Sequence, residues 1–84
     1  MLIINYFASI RESLNKSQQR LELPTDVTTV SELINYLVQS DKHLANVLGA
    51  DRKVLVAVNQ IIVDRGHVLS GNDEIAFFPP MTGG

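Results

Sequence analysis

Apolar and polar residues follow two periods along this chain, and the changes between them divide it into elements. Leu2 to Phe7 is apolar and β-prone, so it reads as a strand with Leu2, Ile4 and Tyr6 on one face and Ile3, Asn5 and Phe7 on the other. Asn5 marks the second face as the outer one. Ser9-Ile10-Arg11-Glu12 has capping-box spacing and predicts a short helix running to about Asn15. Lys16 to Gln19 is polar and reads as a turn. Arg20-Leu21-Glu22-Leu23 then alternates until Pro24 stops it, as a half-buried strand antiparallel to the first.

A second capping box, Thr29-Val30-Ser31-Glu32, opens the most periodic segment. Val30, Leu33, Ile34, Leu37 and Val38 fall at i, i+3, i+4, i+7 and i+8, one stripe of a helix that must pack on a sheet. Asp41 to Leu48 predicts a further helical turn or two ending at Gly49, pinned by Leu44, Val47 and Leu48. Lys53 to Val58 returns to period two, with Val54, Val56 and Val58 opposite Leu55, Ala57 and Asn59. Asn59-Gln60 is a tight link into Ile61-Ile62-Val63. Ser70-Gly71-Asn72-Asp73 turns into a last strand, Glu74 to Phe78, with Asn72 a residue that tolerates a left-handed position. Ile75 and Phe77 share its inner face. Glu74, Ala76 and Phe78 share the wet one, which leaves Phe78 exposed. If the first and last strands are neighbours, Phe7 and Phe78 form one outer apolar patch, which is either a partner surface or a patch covered by a loop or short helix.

This order predicts an α+β fold: a mixed sheet crossed by one main helix. A first hairpin, a right-handed crossover and a final central strand are the requirements of a β-grasp. The domain is expected over residues 1–78, with 79–84 as a flexible, extended C-terminal tail.

Composition narrows the function classes. An 84-residue chain that is 45% hydrophobic supports one small core. It has no cysteine, which removes disulfides, thiolate zinc sites and thiol nucleophiles. The net charge is −2 and the longest basic run is Arg52-Lys53, so no nucleic-acid-binding stripe is present. No apolar run has membrane-spanning length and Met1 to Asn5 lacks a basic leader, so a cytoplasmic location is expected. His43 and His67 are isolated and expected to be exposed, with no metal site. Ser9, Thr29 and Ser31 read as caps rather than nucleophiles, and Asp73-Glu74 point to opposite faces of a strand.

The chemistry concentrates at Phe77-Phe78-Pro79-Pro80-Met81-Thr82-Gly83-Gly84. Pro79 and Pro80 fix φ and stiffen the exit from the fold. Gly83 and Gly84 lack Cβ, so their backbone passes through a channel too narrow for other residues. Fully extended, the six residues from Pro79 reach roughly 20 Å at about 3.3–3.6 Å each. At the end stands an α-carboxylate with no side chain beside it. An ATP-dependent enzyme that converts it to an acyl-adenylate makes it an acyl donor, either to an amine or to sulfide. Sulfide would leave a terminal thiocarboxylate, a sulfur store that needs no cysteine.

The run Asp73-Glu74-Ile75-Ala76-Phe77-Phe78-Pro79-Pro80-Met81-Thr82-Gly83-Gly84, with Tyr6-Phe7-Ala8, Arg11-Glu12 and Val56-Ala57-Val58-Asn59-Gln60, resembles the molybdopterin synthase small subunits, the sulfur carriers of molybdenum cofactor synthesis. The likeness spans the whole chain, and the terminal motif is its specific part. Two departures are Asn72 before Asp73-Glu74, where the family usually has Gly, and Met81, where it often has Val or Ile. The resemblance implies a ubiquitin-like β-grasp. It implies activation of Gly84 by an adenylating, E1-like enzyme with ATP, conversion of Gly84 to 1-thioglycine, and no bound cofactor. It further implies insertion of the tail into a large subunit, within a heterotetramer of two small and two large subunits. There sulfur would pass to cyclic pyranopterin monophosphate to build the dithiolene. The residues carried over as site are the Gly84 carboxylate, the tail Pro79, Pro80, Met81, Thr82 and Gly83, and partner contacts at Phe7, Arg11, Ile62 and Phe78. Alternatives are the sulfur carrier of thiamine thiazole synthesis, which shares the Gly-Gly ending, a protein modifier ligated to lysines, and a binding module with an inert tail.

Overall fold

A computed structural model describes residues 1–49 and 53–80. The elements run β1 (Leu2–Tyr6), α1 (Ala8–Leu14), β2 (Gln18–Leu21), α2 (Val30–Ser40), α3 (Lys42–Leu48), β3 (Leu55–Val58), β4 (Ile61–Val63) and β5 (Glu74–Phe78). The strands form one sheet in the order β2-β1-β5-β3-β4. The last strand is therefore central. It pairs parallel to β1, with Tyr6 opposite Phe77, and antiparallel to β3, with Val56 opposite Phe77. This is the β-grasp arrangement expected from the element order.

Strand parity sorts the core as the sequence pattern requires. Leu2, Ile4, Tyr6, Val54, Val56, Val58, Ile75 and Phe77 are buried on the inner face. The stripe of α2 meets them with Val30, Leu33, Ile34 and Leu37 buried and Val38 partly so. Both bonds of the Thr29–Glu32 capping box are made, so two orphan donors of the first turn are satisfied. Asp41 ends α2 and its carboxylate accepts from the His43 amide to start α3. Gly49 closes α3 where a Cβ would come within 2.5 Å of the Ala45 carbonyl oxygen, so no larger residue fits without a shift. Val27 and Leu69, in the connections, complete the core.

Five expectations need correction. Ser9 does not cap α1: the helix begins at Ala8, Phe7 is its N-cap, and no side chain caps it. The second strand lies two residues earlier than the alternation at Arg20–Leu23 suggested. Gln18 and Gln19, expected in a turn, pair with Asn5 and Ile4, and their side chains bond the Asn5 amide oxygen and the Tyr6 hydroxyl. Asn72 is not left-handed; among the described residues the positive φ values outside glycine belong to Ala8, Asn15, Asn59 and Gln60. Its Oδ1 instead accepts a hydrogen bond from the Met1 amino group. His43 is exposed as expected, but His67 is half-buried. Phe78 is also half-buried rather than exposed, because it lies in the central strand against Phe7.

Candidate functional site

The tail is rooted in the middle of the sheet. Phe78, the last residue of β5, pairs with Leu55, and the Phe7 amide donates to the carbonyl of Phe77 at 3.1 Å. Pro79 and Pro80 therefore leave a strand held on both sides, and the direction of exit is set by sheet geometry rather than by the tail. The opposite end of β5 is fixed as firmly. Asp73, 9% exposed, accepts from the Asn59 side-chain amide at 2.9 Å and the Ser70 amide at 2.7 Å. The Glu74 amide donates to Asn59 Oδ1 at 3.0 Å, and the Asn59 amide donates to the Glu74 carbonyl at 2.8 Å. Asp73 is thus a register pin for the strand and not half of an acid pair with Glu74. Asn59 and Gln60 reach it through a turn with φ of 51° and 72°, the two left-handed positions of a tight hairpin.

Among the described residues no helix lies on the outer face of the sheet, and the buried helical positions join the inner-face residues in one core cluster. The register of the outer face can be read across the strands: Ile62 lies opposite Ala57, Ala57 opposite Ala76, and Ala76 opposite Asn5. One row further toward the tail stand Leu55 and Phe78. Phe7 follows β1 and packs edge-on to Phe78, with ring centroids 6.4 Å apart and planes at 77°, a favoured aromatic arrangement. The outcome is a low floor of two alanines flanked by larger apolar groups, and Phe7 and Ile62 are 45% and 58% exposed. Apolar area of this kind, grouped and left uncovered, is what a partner surface presents.

Of the carried-over partner contacts, the fold brings Phe7, Phe78 and Ile62 to this one face. Arg11 stands apart on α1, exposed, one turn beyond Phe7, whose carbonyl accepts from the Arg11 amide at 3.3 Å. Leu55, Ala57 and Ala76 belong to the same face and were not singled out from the sequence. Their parity was legible, but only the register shows that they fill the space between Phe78 and Ile62. Pro79 is half-buried and Pro80 exposed. The remaining site residues, Met81, Thr82, Gly83 and Gly84, lie outside the described residues.

The electrostatics of the body are quiet. Burial pushes the Tyr6 hydroxyl up from 10.0 to about 12, with the negative charge of Asp41 adding to the effect. That hydroxyl donates to Gln19 at 2.9 Å, a structural bond between β1 and β2. The Glu32 carboxyl is held below its ordinary range by hydrogen bonds from Thr28 and Thr29 at the start of α2. Among the described residues no group of three or more His, Asp or Glu could hold a metal ion.

The chain matches the ThiS family over residues 4–84. It is 38% identical over 84 residues to the molybdopterin synthase sulfur carrier subunit of Escherichia coli (strain K12), covering 100% of both chains. Among solved structures it is similar to small archaeal modifier protein 1 of H. volcanii, with a TM-score of 0.76 and 25% identity over 95% of this chain and 97% of that one. It also shares its fold with a chain of the complex of subunits 1 and 2 of the molybdopterin-converting factor from Helicobacter pylori 26695. There the TM-score is 0.67 at 21% identity, covering 99% and 97% of the two chains.

Proposed function

The chain belongs to the ThiS family, and from that premise we propose that it is the sulfur-carrier small subunit of molybdopterin synthase. The geometric observation that carries the reading is the rooting of the tail: it leaves a central strand beside an uncovered apolar face. A partner that docks on the face is thereby aimed along the tail. The full-length likeness to a sulfur carrier subunit supports the same role.

The chemistry belongs to Gly84. Its carboxylate oxygen attacks the α-phosphorus of ATP on an adenylating partner, pyrophosphate leaves, and an acyl-adenylate forms. A hydrosulfide-level nucleophile attacks the acyl carbon, AMP departs, and a thiocarboxylate remains. The carrier then docks on the large subunit, and its sulfur forms a carbon–sulfur bond with the pyranopterin precursor as an oxygen leaving group departs from that carbon. Water then cleaves the acyl carbon–sulfur bond, which leaves the sulfur on the product and returns Gly84 to the carboxylate. Each tail delivers one sulfur and a dithiolene holds two, so two deliveries are needed per product, in keeping with an assembly of two small and two large subunits. The chain itself supplies an activatable acid and a surface that positions it. A cytoplasmic location for the ATP-consuming cycle is part of the same proposal. No helix among the described residues is long and apolar enough to cross a membrane.

The test is removal of Gly83 and Gly84. Sulfur transfer to the precursor is expected to vanish while the melting temperature holds, because a terminal tail contributes little buried area. Equal transfer from the truncated chain would contradict the proposal. The likeness to a small archaeal modifier protein favours a second reading, conjugation of Gly84 to lysine amines. It predicts covalent adducts of higher mass in cell extract, which a carrier alone does not leave.

A further inference from the structure

One strand residue breaks the alternation of buried and open positions. Ala57 of β3 shares the outward parity of Leu55, yet it is only 6% exposed. Among the described residues it is the one outward-facing strand residue that is buried. No described helix lies over it, so its cover is the height of its neighbours. Across the strands it faces Ile62 on β4 and Ala76 on β5, and Leu55 and Phe78 stand in the next row toward the tail. In the other direction the face continues with Glu74 beside Ile3. The methyl groups of Ala57 and Ala76 therefore lie at the bottom of a recess walled by longer side chains. Strand spacing makes this floor about 5 Å across, and same-face residues recur about every 7 Å along a strand. Such a space takes the end of one side chain and excludes a strand or a helix. The backbone beneath is paired on both sides, β5 with β1 and β3, and β3 with β5 and β4, so the floor offers no free donor or acceptor.

We infer that the large subunit inserts one apolar side-chain end, of leucine or methionine size, into the recess over Ala57 and Ala76, and that the smallness of these two residues decides which partner surface fits. The inference rests on the carrier reading above. The recess is continuous with the docking surface of that reading, since Ile62 and Phe78 are walls of the one and members of the other. A partner laid flat across Phe78 and Ile62 would leave a void above the two methyl groups. The core of a specific interface packs as densely as a protein interior, so that void has to be filled. Filling it takes a protrusion from the partner, and a floor without a free polar group makes the protrusion apolar. The residue types point the same way. Alanine is a poor strand former, and valine or isoleucine would suit either position better on local grounds. Yet two alanines stand opposite each other in interior strands.

Ala76→Val and Ala57→Val each raise the floor. The melting temperature is expected to equal or exceed that of wild type, because valine is the better strand residue. Calorimetric titration of the large subunit with the full-length chain should then give a Kd at least about tenfold higher, equivalent to about 1.4 kcal/mol. Ala76→Leu should lose more than Ala76→Val, so that affinity falls as the side chain grows while the fold holds. Ala76 is half-buried with open space above it, which keeps this series readable should Ala57→Val fail to fold. A flat partner surface predicts the reverse, since added apolar area on the face would tighten binding. Affinity unchanged or improved in Ala76→Val and Ala76→Leu would therefore overturn the recess. So would sedimentation that finds the free chain dimeric and Ala76→Val monomeric, because the occupant would then be a second copy. Wild type run alongside separates the two levels of argument. If wild type does not bind the large subunit the carrier reading fails, whereas a wild type that binds no better than Ala76→Val sinks only the recess.

Discussion

Phe7→Ala is expected to weaken docking of the large subunit by about 1–2 kcal/mol while the fold survives. The ring is 45% exposed, and an aromatic side chain covers about 150–250 Å² in full, so roughly 70–110 Å² remains to be buried by a partner. At about 25 cal/mol per Å² that area corresponds to about 2 kcal/mol. Association returns less than area alone suggests, because side chains are ordered and polar groups desolvated at the same time. A loss of about 1–2 kcal/mol is about a 5- to 30-fold rise in Kd. The free protein loses the edge-to-face contact with Phe78, worth about 0.5–1.5 kcal/mol, which lowers the melting temperature by several degrees. Helix α1 should survive, since Phe7 caps it through backbone conformation and no side-chain cap is lost. Calorimetric titration of the large subunit with wild type, Phe7→Ala, Phe78→Ala and the double variant separates the terms, and the double-mutant cycle gives the coupling of the pair. Unchanged affinity together with a large fall in melting temperature would refute the reasoning and make the pair a piece of the core.

Gln60→Gly should stabilise the protein by about 0.5–1 kcal/mol, since Gln60 occupies the second left-handed position of the β3–β4 turn at a φ of 72° where glycine carries no steric cost; urea titration reads this directly. Thr29→Ala removes one half of the capping box and should cost about 1 kcal/mol, with the loss visible as faster amide exchange in the first turn of α2. Tyr6 gives a pH signature. Its hydroxyl is raised to about 12 in the fold against 10.0 in the unfolded chain, so its stabilising contribution is complete below pH 10.0 and is lost as pH rises through about 12. The denaturation midpoint should fall across that window, and Tyr6→Phe should flatten the fall.

Long-period signals carried the fold. The stripe from Val30 to Val38 and the box at Thr29 give α2 without any tertiary information, and alternation along Leu2–Tyr6 and Glu74–Phe78 assigns inner and outer faces correctly. What failed were signals whose meaning depends on a distant partner. Ser9-Ile10-Arg11-Glu12 has the spacing of a capping box, yet Phe7 is already tied to the Phe77 carbonyl and the chain turns into the helix through Ala8 at a φ of 53°. Arg20 to Leu23 alternates well, but cross-strand bonds from Gln18 and Gln19 to β1 move the strand two residues earlier. Leu23 still packs against the core from outside the strand. The site was legible in its aromatic members because Phe7 and Phe78 share outward parity. The alanine floor was not, since it arises only when β3 and β5 are brought into register.

Intact mass after incubation with ATP, an adenylating partner and sulfide bears most directly on the central claim. The carrier account requires the full-length chain to gain the mass of one oxygen replaced by sulfur, located on the terminal glycine by fragmentation and lost again on transfer to the precursor. A chain that stays at its starting mass while the partner hydrolyses ATP on a genuine carrier, or one that gains mass anywhere but Gly84, would contradict it.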